Sequence, residues 1–391
     1  MSRGPRRVHL GVWSPFVALI LTSFALGLGL TRIVRDISRR RGLLDSTGAA
    51  GHQKAALREV PNTGGIAIML AVALPAAGAI ATAYWANPGW IEERSPTIAA
   101  NLSGMRSRLP MALGLLLALT GMHIVGVLDD RRALGPGIKF AAQSVIAGLL
   151  VYLSDSRLLT LMDTWPGLAG AAPWPSVIVT VVWMVAVTNA INFMDNMDGL
   201  AGGVAGISAG LFLIAAYLNG QWFIAAMLAL LLGALLAFMC FNFPPATIFM
   251  GDGGSLVVGF LLGFLTVRTT YYGDSQETRW YGIFMPIIVL AIPLYDLVAV
   301  TIIRLRQGKS PFVGDQQHFS HRLVQSGLSK EAAVLVICGC SMATGISGIS
   351  LGQVQGWQAL LIGVQTVLIL AALAAFERFF LTRKGNGGLG S

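Results

Sequence analysis

The sequence predicts an all-α, polytopic integral membrane protein with about eleven (10–11) transmembrane helices. Hydrophobic residues fill 55% of its 391 positions and charged residues only 12%. Mean hydropathy is +0.70, too apolar for a soluble domain of this length. The apolar residues also arrive in runs of roughly 17 to 24, the helical length that crosses a hydrocarbon core about 30 Å thick.

In chain order the runs fall at 13–31, 64–86, 109–128, 137–153, 176–193, 199–218, 222–241, 254–270, 281–303, 331–351 and 357–380. The first follows Arg3, Arg6 and Arg7, an arrangement that superficially resembles a signal peptide. Its length and the Arg-rich segment behind it predict an uncleaved helix instead. The fourth and eighth runs are short and Gly-rich. The Gly-rich end, about 384–391, predicts a disordered tail.

Alternation of the spans puts 32–63, 129–136, 194–198, 242–253, 304–330 and the C-terminus on one face. Counting span ends, that face carries 18 of the 27 Lys and Arg residues, which predicts that it is cytoplasmic. The three N-terminal arginines dissent. Because the basic residues sit in short loops between apolar runs, the net charge of +9 marks membrane orientation and not nucleic-acid binding. Cys240, Cys338 and Cys340 lie within apolar runs and lack the spacing of a disulfide frame or a zinc site.

Four polar clusters share that face. Asp129 and Asp130 end the third span, with Arg131, Arg132, Lys139 and Gln143 following. Adjacent carboxylates imply a metal, a basic partner or a proton acceptor; a solvated pair matched by the two arginines is the plain alternative. Asn189, Asn192, Asp195, Asn196 and Asp198 place five oxygen-bearing side chains in ten residues, a hard donor set suited to Mg²⁺ or simply a polar turn. Asn242 precedes Gly251-Asp252-Gly253-Gly254, where glycines free backbone amides at a helix start. His318, His321 and Arg322 share one helical face and suit a phosphate clamp. Two ionisable residues lie within spans. Asp296 needs a partner, for function or for packing, and His123 reads as a satisfied core residue.

In sequence order these clusters resemble the polyprenyl-phosphate N-acetylhexosamine-1-phosphate transferase family, glycosyltransferase family 4, with the phospho-MurNAc-pentapeptide transferase as a more distant relative. The matching segments are VPNTGGIAI at 60–68, GVLDDRRALGPGIKFAAQ at 126–143, NAINFMDNMDGLAGG at 189–203, FNFPPATIFMGDGGS at 241–255, PLYD at 293–296 and DQQHFSHRL at 315–323. The resemblance implies a single transmembrane catalytic domain over 1–391, in the bacterial cytoplasmic membrane. It implies transfer of a sugar-1-phosphate, GlcNAc-1-phosphate first among candidates, from a UDP-sugar to undecaprenyl or another polyprenyl phosphate. UMP is released, as the first membrane step of cell-envelope polysaccharide synthesis. Mg²⁺ is the implied cofactor, with Mn²⁺ the alternative, and a homodimer is left open. By position, Asn192 and Asp252 are the implied metal ligands, and Asp129, Asp130 and Asp195 the catalytic acidic residues. Lys139, His318, His321 and Arg322 handle phosphate, while Asp198 and Asn242 shape the nucleotide pocket.

Three departures from the family pattern stand out. Asn62-Thr63 precedes the double glycine where an Arg is frequent, Asn196 replaces a usual Gly, and Ser320 interrupts a triple-His run. The last argues against the pentapeptide-transferase branch. A lipid-linked sugar transporter and an inactive scaffold are the rival readings. A transporter, however, predicts ionisable groups near the midplane and repeated halves, and the sequence shows no repeat.

Overall fold

The computed structural model describes residues 13–43, 60–85, 87–94, 96–158, 173–269, 280–310 and 318–387. The three N-terminal arginines, residues 315–317 of the histidine motif and the last four residues of the tail lie outside them.

Ten of the eleven predicted runs each coincide with one helix. The long ones are α1 (Ser14–Arg40), α2 (Gly64–Trp85), α5 (Leu109–Arg131), α6 (Pro136–Ser154), α7 (Trp174–Met194), α8 (Leu200–Leu218), α9 (Trp222–Asn242), α14 (Lys330–Ile349) and α15 (Gly356–Gly387). Among the described residues these nine are long and apolar enough to cross a membrane. The ninth predicted run is broken. A 3₁₀ turn and α11 (Met285–Val289) meet α12 (Ala291–Arg306) at a 72° bend, which makes a tenth span if the pair is one. The eighth run is α10 (Asp252–Arg268), of 17 residues, and a count of eleven depends on including it.

Among the described residues three short helices complete the fold: α3 (Pro88–Arg94), α4 (Pro96–Ser107) and α13 (Phe319–Gln325). α3 and α4 fold back on the end of α2, where Ala83, Ile91 and Leu102 form a small separate core and the Arg106 guanidinium donates to the Ala83 carbonyl at 2.9 Å. The proline-rich starts of α5, α6 and α7 follow from the missing N–H, which a first helical turn does not need.

α10 is the hub of the bundle. Every residue from Gly253 to Val267 is buried, and the helix packs against α2, α5, α7 and α8. Glycine makes this closeness possible. A Cβ on Gly65 would strike the backbone of Gly253 and Gly254, and one on Gly126 would strike the carbonyl of Asp252. α1 lies outside, against α9 and α2, where the buried Ser23 hydroxyl bonds to the Leu230 carbonyl at 2.7 Å.

Candidate active site

The polar clusters meet at one end of the bundle, around the start of α10. Gly251 has φ +68°, a left-handed conformation that turns the chain sharply into the helix at Asp252. The preceding strand-like segment is held to the start of α2: Gly64 and Gly65 N–H donate to the carbonyls of Phe249 and Met250 at 2.9 Å, and Phe249 N–H to Pro61.

The two adjacent aspartates do different things. Asp130 accepts the N–H groups of Asp252 and Gly253, each at 3.0 Å, and the Asn62 side-chain amide at 3.0 Å. It therefore caps α10 from a neighbouring helix, with a negative charge at the positive end of the helix dipole. Asp129 accepts from Leu134 N–H at 2.8 Å with one oxygen and faces Lys139 Nζ at 3.0 Å with the other.

Lys139, from α6, is the centre of the site. Its ammonium pairs with Asp129 and Asp252 and lies 3.3 Å from Asn192 Oδ1. The Asn192 amide nitrogen donates to Asp252 Oδ1 at 2.7 Å and to the Ser255 hydroxyl at 2.8 Å. Three oxygens from α5, α7 and α10 thus point at one cation. The bonded cluster holds three carboxylates, Asp129, Asp130 and Asp252, against one ammonium, an excess of two negative charges. Among the described residues no three His, Cys, Asp or Glu side chains are grouped as a self-sufficient metal site. Two carboxylate oxygens and an amide oxygen nonetheless suit Mg²⁺, which keeps several waters and takes few protein ligands alongside phosphates.

The second cluster splits in function. Asn189 donates to Gln143 Oε1 at 2.6 Å and braces α7 on α6. Asp195 is the C-terminal cap position of α7, beside Asn192. Asp198 accepts Ala246 N–H at 3.1 Å, and the buried Asn242 bridges Gly199 N–H and the Ile248 carbonyl. These two residues fix the loop before α10 against the turn before α8.

At α13, Asp296 is buried and accepts His318 Nδ1 at 2.9 Å and Phe319 N–H at 2.6 Å. The His318 ring stands edge-on to Phe193, whose face lies under the buried Arg304 guanidinium. Ser320 and Asn196, two of the positions that depart from the family pattern, touch: the Ser320 hydroxyl donates to Asn196 Oδ1 at 2.5 Å. Burial, and then the neighbouring His318, push the His321 imidazole below its ordinary pKa. Arg322 is buried in the same turn. His123 Nδ1 lies 2.7 Å from the Gly253 carbonyl, a satisfied partner at the α5–α10 contact.

Asn62 and Ser255 hold the site together, yet neither is among the site residues expected from the sequence, where Asn62 stands only as a departure from the family pattern. Asn62 does carry a signal, as a polar residue just before a double glycine at a helix start. Ser255 carries none beyond its place one turn into α10.

A helical membrane bundle with a carboxylate, amide and ammonium cluster at one end of its central helix is built to handle a charged group at the membrane surface. Comparison with known proteins narrows this. The family model described as "Glycosyl transferase family 4" matches residues 112–270. The chain is 28% identical to the probable undecaprenyl-phosphate N-acetylglucosaminyl 1-phosphate transferase of Bacillus subtilis (strain 168), over 92% of this chain and 91% of the relative. It is 29% identical to the decaprenyl-phosphate N-acetylglucosaminephosphotransferase of Mycobacterium leprae, over 82% and 78%. It is 30% identical to the undecaprenyl-phosphate alpha-N-acetylglucosaminyl 1-phosphate transferase of Salmonella typhi, over 60% and 64%. Over most of its length the chain is thus similar to polyprenyl-phosphate N-acetylglucosaminyl 1-phosphate transferases, and its residues 112–270 match glycosyl transferase family 4.

Proposed function

We propose that the chain transfers GlcNAc-1-phosphate from a UDP-sugar to undecaprenyl or another polyprenyl phosphate, releasing UMP, with Mg²⁺ or Mn²⁺ as cofactor. The site faces the cytoplasm in this reading, and the reaction opens cell-envelope polysaccharide synthesis. One observation carries the proposal: oxygens of Asp129, Asn192 and Asp252, from three helices, converge on the Lys139 ammonium.

Asp252 and Asn192, with Asp129 beside them, would hold the metal, which when bound neutralises charge on the donor diphosphate and on departing UMP. Lys139 supplies a fixed positive charge to the same phosphates. A lipid phosphate oxygen attacks the sugar-bearing phosphorus, and the bond from that phosphorus to the bridging oxygen breaks, the oxygen and the electron pair leaving on UMP. The second pKa of a phosphate ester is about 6, so the acceptor is mostly dianionic at neutral pH. Asp129, held by Leu134 N–H, takes any remaining proton. Arg322 offers charge and His321 a hydrogen bond to phosphate. Asp198 and Asn242 act on the nucleotide pocket through the loop they brace.

The test replaces Asp252 with Ala and follows Mg²⁺-dependent UMP release from UDP-GlcNAc with undecaprenyl phosphate. Loss of at least about 100-fold is expected for removal of a group that stabilises transition-state charge. Undiminished turnover would remove the metal assignment. Passage of intact UDP-GlcNAc across vesicles without UMP would favour a transporter.

A further inference from the structure

We propose that Asp296 is a positioning residue: it fixes the tautomer and direction of His318, so that Nε2 of that imidazole is the atom presented to phosphate. This rests on the reading of His318 as a phosphate-handling residue.

Asp296 is 1% exposed, within the predicted ninth span, where a carboxylate needs strong partners to persist. It has two. One oxygen accepts Phe319 N–H, at the first position of α13, and the other faces His318 Nδ1. A carboxylate is an acceptor only, so Nδ1 carries the proton and Nε2 is left for the site. Phe193 packs edge-on against the ring and limits its rotation. The carboxylate thus does two tasks with two oxygens. It starts α13 at a fixed place and sets the orientation of the histidine that caps it. A purely packing role would not require the second bond.

Asp296→Asn separates these tasks. An Asn oxygen still accepts Phe319 N–H, so α13 keeps its start. The Asn amide, however, must donate where the carboxylate accepted, which moves the imidazole proton from Nδ1 to Nε2. In protein labelled with ¹⁵N-histidine, with His318→Ala used to assign the signal, the wild type should show the Nδ1-protonated form and Asp296→Asn the other. UMP release should fall about 10- to 100-fold in Asp296→Asn, the range seen when a group orienting a functional histidine is removed. In a His318→Ala background the same change should cost no further turnover, since residues acting as one unit are not additive. An unchanged tautomer, or an equal loss with and without His318, would overturn the proposal. Failure of the wild type to release UMP would instead defeat the reading of the reaction, while the tautomer measurement would still decide the pairing.

Discussion

Removing the Asp130 carboxylate should unfold more than it inactivates, whereas its neighbour should do the reverse. Asp130 accepts three hydrogen bonds at 3.0 Å, two of them from the first N–H groups of α10. Loss of an N-cap costs about 0.5–2 kcal/mol, and charged acceptors raise the cost of each orphaned donor to about 1.5–3 kcal/mol. These terms overlap, so Asp130→Ala should lose about 3 kcal/mol. Asp130→Asn keeps one acceptor and turns an amide donor toward the other N–H, which predicts a loss of about 1–2 kcal/mol, part of it from the helix dipole. Asp129→Asn keeps an oxygen for Leu134 N–H or Lys139, and Lys139 retains Asp252; its cost should stay below about 1 kcal/mol. Reversible denaturation in mild detergent, read beside UMP turnover, checks the order. Stability should fall most in Asp130→Ala, and Asp129→Asn should lose turnover out of proportion to stability. Wild-type stability in Asp130→Ala would refute the capping assignment.

Gly126→Ala places a methyl against the Asp252 carbonyl, so α5 and α10 must separate; about 1–3 kcal/mol of stability should go, with turnover, although no chemical group is removed. The measurement is thermal unfolding with the UMP assay, and a neutral result would contradict the close approach of the two helices. Ser320 and Asn196 should be coupled. In a cycle of Ser320→Ala, Asn196→Ala and the double variant, a coupling energy of at least about 0.5 kcal/mol in denaturation is expected, and strict additivity would deny the bond.

The apolar runs made the scaffold legible, because in lipid every backbone polar group must be satisfied inside its own helix. Predicted and observed spans differ by only a few residues at α2, α7, α8 and α9. What failed to show was whatever depends on distant partners. The 72° bend after α11 lies inside a continuous apolar run, where run length does not show it; the mark it does carry is Pro293, which has no N–H to bond the Val289 carbonyl. α3 and α4 were hidden because their small core takes Ala83 from the end of another helix. At the site, residue types in loops revealed which side chains to watch but not how they divide their work. Asp129 and Asp130 are identical and adjacent, yet a helical step of about 100° turns one to Lys139 and the other to the backbone of α10. Asp296 was visible as an anomaly only. Its partners, His318 and Phe319, start a helix that follows residues 311–317, so no local pattern joins them.

The length of α10 has a consequence for where chemistry happens. Seventeen residues rise about 25 Å, several ångströms less than the hydrocarbon core. A helix walled off from lipid on all sides need not match the bilayer. Its far end carries Arg268, which is repelled by Arg108 and attracted by Asp155 at the ends of α5 and α6. Taking the charged Arg268 as the surface end, the shortfall falls at Asp252, which would set the floor of the polar basin below headgroup level. In the proposed reaction a water-soluble donor would dip its diphosphate into the membrane, and a prenyl chain would stay in the oil while its phosphate reacts.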